Sequence, residues 1–268
     1  MRYDIASGVK RAKTKTTAIV SVLVLGASGF GATLAVPLVT SAAVPCSAPI
    51  STSRGSLTAE VVATTGDNIT GDVDGTGCDI GVYIASGVSN VNISATVHDA
   101  NQYGVLNDGT NVTVDTSTIT NTGNHNGAAF EPNGVQTGIG IFYSVNATGS
   151  ITNNIVNNYQ KGGIVVNREG ASADITGNTV SGFGPIDFIA QNGIQVSRGA
   201  IATDFSDNVV SGNIYTQNGS AAPEGVGSSV GIVSTGVLFF QAGGSPKTGT
   251  IASSNHVFQN QANVTIIK

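Results

Sequence analysis

Gly163-Ile-Val-Val-Asn-Arg-Glu-Gly-Ala-Ser-Ala-Asp-Ile-Thr-Gly-Asn178-Thr-Val-Ser-Gly182 is the stretch that decides the fold. Strand alternation puts Ile164 and Val166 on one face, and Ile175 and Val180 return to that face after two turns. One circuit therefore holds three short strands, too few to bury their own apolar side, and must stack on neighbours. The opening phrase recurs at Gly81-Val-Tyr-Ile, Gly104-Val-Leu-Asn, Gly138-Ile-Gly-Ile, Gly193-Ile-Gln-Val and Gly231-Ile-Val-Ser. Successive starts lie 23, 34, 25, 30 and 38 residues apart, so loops of unequal length interrupt a constant unit. Stacked in parallel, the strands make three sheets around an elongated apolar core, with ~4.8 Å per circuit.

A second phrase places Asn three residues after one inward apolar residue and two before the next. It reads Ile151…Asn154…Val156, Ile175…Asn178…Val180 and Phe205…Asn208…Val210. Asn255 before Val257 fits half of it, and Ser117 before Ile119 takes the same place. Asn tolerates left-handed backbone angles, and its amide can bond both its own circuit and the next. The column Asn154, Asn178, Asn208 and Asn255 reads as a structural ladder.

Composition agrees. Of 268 residues 36 are Gly, none is Trp, one is Met and 10% are charged, which suits turns alternating with β-branched strands and not long helices. Residues 1–16 carry Arg2, Lys10, Arg11, Lys13 and Lys15 against Asp4 alone, and an apolar stretch follows from Ala18 to Leu25. This is a signal-peptide plan, with cleavage expected after Ala42 or Ala43. The alternative is an uncleaved membrane anchor, since residues 17–44 are nearly charge-free and long enough to span a bilayer. Pro45 before Cys46 argues against a lipid anchor. The expected organisation is a leader at 1–43, a linker and N-terminal cap at 44–56, and the repeat domain at 57–268, secreted or at the cell surface.

Loss of the leader removes 5 of 11 basic and 1 of 16 acidic residues, leaving a net charge of −9. Such a surface disfavours nucleic acid, and an acidic polysaccharide would need a bridging cation. Membrane contact is expected only if the leader stays. Cys46 and Cys78 are the only cysteines, and in an exported chain they are expected to form one disulfide.

With its Gly-Ile-x-Ile and Ile-x-x-Asn-x-Ile phrases, the chain over residues 57–268 resembles the right-handed parallel β-helix family, the pectate-lyase-like superfamily. The resemblance implies an all-β, three-sheet right-handed solenoid. It leaves the chemistry open, because the family includes lyases, hydrolases, epimerases, adhesins and tailspikes. It also implies that the Gly-led strand floors a groove walled by flanking loops.

Counted from each glycine, outward positions two residues on are Tyr83, Leu106, Gly140, Val165, Gln195 and Val233. Four residues on they are Ala85, Asp108, Phe142, Asn167, Ser197 and Thr235. Only Asp108 is acidic, so the floor lacks the carboxyl pair that glycoside hydrolysis needs. Tyr83, Phe142 and Tyr143 offer sugar-stacking faces, with a core or turn role as the alternative. Arg168 and Arg198 each follow their glycine by five residues and are expected to stack, with Glu169 as an internal partner. The long loops Asn121–Thr137 and Gly212–Val230 hold Glu131 and Glu224, each seven residues before a glycine. Arg168, Arg198, Lys161, Glu131 and Glu224 are the residues available for catalysis, but the family's Asn-Thr-Asp, Gly-His-Gly and Arg-Ile-Lys signatures are absent, so no catalytic role transfers. No cofactor is expected. The acidic segment Asp72–Asp79 offers oxygens to Ca²⁺ without matching a calcium loop. His98, His125 and His256 sit in different turns and form no visible metal set. The leading expectation is a glycan-binding protein or surface scaffold or adhesin, ligand-bound at Tyr83, Asp108, Phe142, Tyr143, Arg168 and Arg198. The alternative is a polysaccharide lyase in the same groove.

Overall fold

The computed structural model describes residues 46–217, 220–221, 233–244, 251 and 253–268. The expected leader at 1–43, Glu224 and Gly231 lie outside the described residues. The protein is all-β, built of parallel sheets, with nearly no helix among the described residues. No described helix is long and apolar enough to cross a membrane.

One sheet stacks eight strands in chain order: Ala59–Ala63, Ile80–Ile84, Tyr103–Asn107, Ile139–Tyr143, Gly162–Asn167, Asn192–Ser197, Thr235–Phe240 and Ala262–Ile267. All its pairings are parallel. The other large sheet has two ranks of strands that meet on Asn92–His98, which pairs with both Val112–Asp115 and Thr118–Thr120. In later circuits the corresponding run is broken at a corner. Its two sides are Thr148–Thr152 and Ile155–Asn157, then Ser172–Thr176 and Thr179–Ile186, then Ile201–Ser206 and Val209–Gln217.

Each corner needs one left-handed residue, and it falls just before the ladder position: Thr116 (φ 50°), Asn153 (55°), Gly177 (68°) and Asp207 (58°). The ladder asparagines therefore serve through their amides and not through tolerance of that conformation. Asn154, Asn178 and Asn208 each donate from Nδ2 to the Oδ1 of the next member, at 2.9, 3.0 and 2.8 Å, ending on Asn255. The same Oδ1 atoms accept the backbone N–H groups of Asn154, Asn178 and Asn208. At the first corner Ser117 donates its N–H to Asn154 Oδ1, while its hydroxyl accepts from Ala95 N and donates to Ile93 O. Orphaned corner groups, costly when buried, are thus satisfied circuit by circuit.

The core between the sheets is formed by Val82, Val105, Ile141, Ile164, Ile194 and Val237 in register, against Val97, Ile119, Val156, Val180 and Val210 from the far rank, all essentially inaccessible. The glycine column faces these far-rank methyls. It consists of Gly81, Gly104, Gly140, Gly163, Gly193 and Gly236, whose added Cβ would meet the methyls of Val97, Ile119, Val156, Val180, Val210 and Val257. This corrects the third and sixth starts of the sequence reading. Ile139 pairs with Tyr103 and Ile141 with Val105, so Gly140, not Gly138, sits in the column, and Gly236 replaces Gly231. In Gly-Ile-Gly-Ile both glycines satisfy the alternation, but only position 140 abuts Val156.

A Cys46–Cys78 disulfide (Cα–Cα 5.6 Å) ties the start of the described chain to the first circuits. Across the end of the expected linker and cap at 44–56, Ile50–Thr52 and Gly55–Leu57 pair as an antiparallel hairpin that runs one residue into the expected repeat domain. The hairpin lies on the outer face of the eight-stranded sheet, where Ile50 and Leu57 join a second apolar cluster with Ile80, Tyr83, Tyr103, Leu106 and Phe142.

Candidate functional site

In true register, the outward row two residues after the column is Tyr83, Leu106, Phe142, Val165, Gln195 and Leu238, so Phe142 belongs to this row and not to the one beyond it. The hairpin covers its first half. Tyr83 is 4% and Phe142 3% exposed. The Tyr83 hydroxyl donates to Asp108 Oδ2 (3.1 Å), and burial, with the Asp108 charge and hydrogen bond, holds its phenol well above the usual range. Asp108 also accepts from Ser53 N, Ser53 Oγ and Ser144 Oγ. Four donors to one carboxylate make Asp108 the post on which the hairpin rests, with little left for a ligand. Tyr143 lies wholly in the core, its hydroxyl donating toward Val112 O and Ser150 O.

Where the hairpin tip ends, a cleft opens, lined by Ser53, Arg54, Phe142, Ser144, Val145, Asn167 and Arg168, with a volume of about 230 Å³. The sequence reading missed Arg54, because its place in the cleft depends on the hairpin folding back over a sheet distant in sequence. Its guanidinium lies 5.2 Å from the Phe142 ring centroid and its Nε donates to Tyr103 OH at 3.0 Å. Phe142 is thereby held edge-on to Tyr103 and capped by a cation. Arg168 enters from the other wall. It has a left-handed backbone (φ 85°), as does Arg198 one circuit on (φ 54°), and their N–H groups bond Ser197 O and Phe240 O. Arg54, Arg168 and Arg198 are all exposed, and among the described residues none of the three guanidiniums, nor Glu169, makes an ion pair. Arg198 does not line the cleft.

Beyond the cleft the outer face turns polar. Asn192 Nδ2 donates to Gln195 Oε1, Gln195 Nε2 to Ser197 Oγ, and Ser197 Oγ to Asn167 Oδ1, a continuous chain at 2.9–3.0 Å. Lys161, half-buried, donates from Nζ to Ala190 O at 2.7 Å, and burial holds its ammonium below the usual range. Glu131 is exposed in the loop after the hairpin His125–Asn126 and Ala129–Phe130, apart from the cleft-lining residues.

The structure also joins two histidines that their spacing keeps apart. His98 and His125 flank Asp99, with Asp74 and Asp72 on the adjacent circuit. Burial opposes charge on His98, but the Asp99 hydrogen bond and the fields of Asp72, Asp99 and Asp74 prevail and raise its pKa. Asp79 is instead taken up by Thr58 and Gln102, away from any shared cation cluster with Asp72.

Compared with protein-family models, curated proteins and solved structures, the chain matches none.

Proposed function

We infer that the chain is a right-handed parallel β-helix of the pectate-lyase-like kind, exported or at the cell surface, that binds an anionic polysaccharide in the cleft at the hairpin tip. Chain-order parallel stacking and the Gly and Asn columns support the fold reading. The binding reading is carried by Arg54 and Arg168, two exposed guanidiniums without ion-pair partners on opposite walls of one cleft over Phe142. Planar guanidinium donors match carboxylate and sulfate geometry. The hydrogen-bonded row from Asn167 to Asn192 extends the site along the sheet with groups suited to sugar hydroxyls. The acidic surface elsewhere repels a polyanion at long range, the ground on which a bridging cation is expected from the sequence; in this reading the two guanidiniums take that cation's place, and attraction is confined to the cleft.

The test is retention on immobilised uronic-acid polymer against a neutral glucan. The protein should prefer the anionic polymer, and Arg54→Ala or Arg168→Ala should weaken retention, with the difference shrinking as salt rises. Equal retention of parent and both variants would remove the reading.

One observation favours a lyase on the same sheet: Lys161, just before the strand Gly162–Asn167 and outside the cleft lining, is half-buried with its Nζ on Ala190 O, and burial lowers its pKa in the direction a general base needs. Unsaturated, ultraviolet-absorbing product that disappears in Lys161→Met would establish it.

A further inference from the structure

We propose that His98 and His125 form a proton-operated clamp on Asp99, which fastens the long 121–137 loop to the body of the solenoid when both rings are charged and lets it open as they lose their protons. Every ring nitrogen of the pair meets an acceptor. His98 Nδ1 lies 2.6 Å from Asp99 Oδ2, and its Nε2 lies 3.1 Å from Asp72 Oδ1. His125 Nδ1 lies 2.8 Å from Gly123 O, while its Nε2, without a hydrogen-bond partner, lies 3.5 Å from Asp99 Oδ1. A neutral imidazole carries a single N–H, so whichever tautomer it takes, it sets a lone pair against an acceptor at one of its two contacts. Only the imidazolium donates at both.

The two rings come from separate elements and share one carboxylate. His98 ends the strand Asn92–His98, and the left-handed backbone of Asp99 (φ 59°) turns its carboxylate back to the ring. His125 opens the small hairpin inside the loop. Its side chain is 3% exposed and its ring packs on Phe130, which stacks on Phe183, so water has little access to replace a missing donor. Asn121 Nδ2 donates to Asp99 Oδ1 at 3.0 Å and fixes the carboxylate between the rings. Asp72 and Asp74 face His98 from the neighbouring strand Asn68–Asp74, and Asp99 is the charged group that faces His125. With neutral rings these carboxylates repel one another, whereas two imidazoliums bring the cluster close to neutrality. Gln160, which is buried, bonds Asn124 N, Asn133 N and Val135 O, giving the loop an anchor that does not titrate. The clamp therefore governs how readily the loop's hairpin opens, not whether the loop folds.

The direction of the pH response follows from His98. Burial opposes its charge, yet the Asp99 hydrogen bond and the fields of Asp72, Asp99 and Asp74 raise its pKa. The folded ring keeps its proton above ~pH 6.5, where the unfolded chain loses it, so the clamp is complete below that pH and is lost as pH rises through the folded value.

Amide hydrogen exchange of residues 125–131 in the intact protein, corrected for intrinsic rates, reads the opening. Protection should fall at least ~10-fold between ~pH 6 and ~pH 8.5, the size expected when a charge-assisted hydrogen bond is lost. In the double variant His98→Gln/His125→Gln, whose amides cannot charge, the fall should shrink to less than ~3-fold. In ¹⁵N spectra of the parent, His98 should carry both ring protons in more than half of the molecules at ~pH 6.5. The two measurements on the parent decide the matter if the double variant does not fold. Protection independent of pH in the parent, an undiminished fall in a folded double variant, or a mostly neutral His98 ring at that pH would each overturn the proposal.

Discussion

Removing one amide from the middle of the corner ladder should cost more than removing its last member. Asn178 is fully inaccessible. Its Oδ1 accepts Asn154 N (3.1 Å) and Asn154 Nδ2 (2.9 Å), while its Nδ2 donates to Ile151 O, Thr176 O and Asn208 Oδ1. In Asn178→Ala, Asn154 Nδ2 keeps Val114 O and Asn208 Oδ1 keeps the Asn178 backbone N–H. The Asn154 N–H and the side-chain bond to Ile151 O are lost. Counting one orphaned donor and one weakened acceptor at ~1–3 kcal/mol each gives a loss of roughly 2–4 kcal/mol, allowing partial relaxation. For a domain of this size that corresponds to a fall of about 4–16 °C in melting temperature. Asn255, half-buried at the end of the row, leaves its orphaned partners closer to water, so Asn255→Ala should fall by less than half as much. Thermal melts followed by circular dichroism of Asn178→Ala, Asn208→Ala and Asn255→Ala measure the order. Unchanged melting in the first two would show that the corner amides are solvated and that the ladder does not stabilise the fold.

Gly163→Ala drives a methyl to 2.6 Å from Gly193 O and into Val180, so it should cost ~3 kcal/mol or more and reduce soluble yield. Wild-type melting in that variant would disprove the close approach. Cys46→Ser/Cys78→Ser should lose ~3–4 kcal/mol by the chain-entropy account of a closure spanning 32 residues, read from denaturant midpoints; an unchanged midpoint would contradict it. The phenols of Tyr83, Tyr143 and Tyr159 are raised, chiefly by burial. Their folded forms hold protons that the unfolded chain releases near ~pH 10, so stability present below that pH is lost above it. Absorbance titration should show these three of the six tyrosines ionising only as the protein unfolds, and free titration of all six in the native state would refute it.

The ladder positions 154, 178, 208 and 255 were legible in the sequence because a corner repeated at fixed offset from inward residues leaves a local pattern. The glycine register was legible only where one glycine stood alone. At Gly138-Ile-Gly140 the choice rests on contact with Val156 from another sheet, which no alternation reports. Tyr83 and Phe142 were readable as outward-facing, but their cover comes from a hairpin whose docking depends on Asp108, 55 residues from Ser53. His98 and His125 reach the same Asp99 for a like reason: the fold brings together residues from a strand end and a long loop that lie far apart in the chain.

The glycine and valine columns divide each circuit into two unequal kinds of path. From column glycine to far-rank methyl the chain takes 16 residues at Gly81 to Val97, 15 at Gly104 to Ile119, 16 at Gly140 to Val156, and 17 at both Gly163 to Val180 and Gly193 to Val210. The return to the next glycine takes 7, 21, 7, 13 and 26 residues. The sixth path, Gly236 to Val257, takes 21 residues, so it is through the first five circuits that most length variation leaves the body at one corner while the other two keep 15–17. That corner behaves as a display port: segments of foreign length or sequence exchanged there would not have to renegotiate strand register, whereas a residue inserted inside a strand would turn the side chains that follow it in that strand to the wrong face unless a bulge absorbed it.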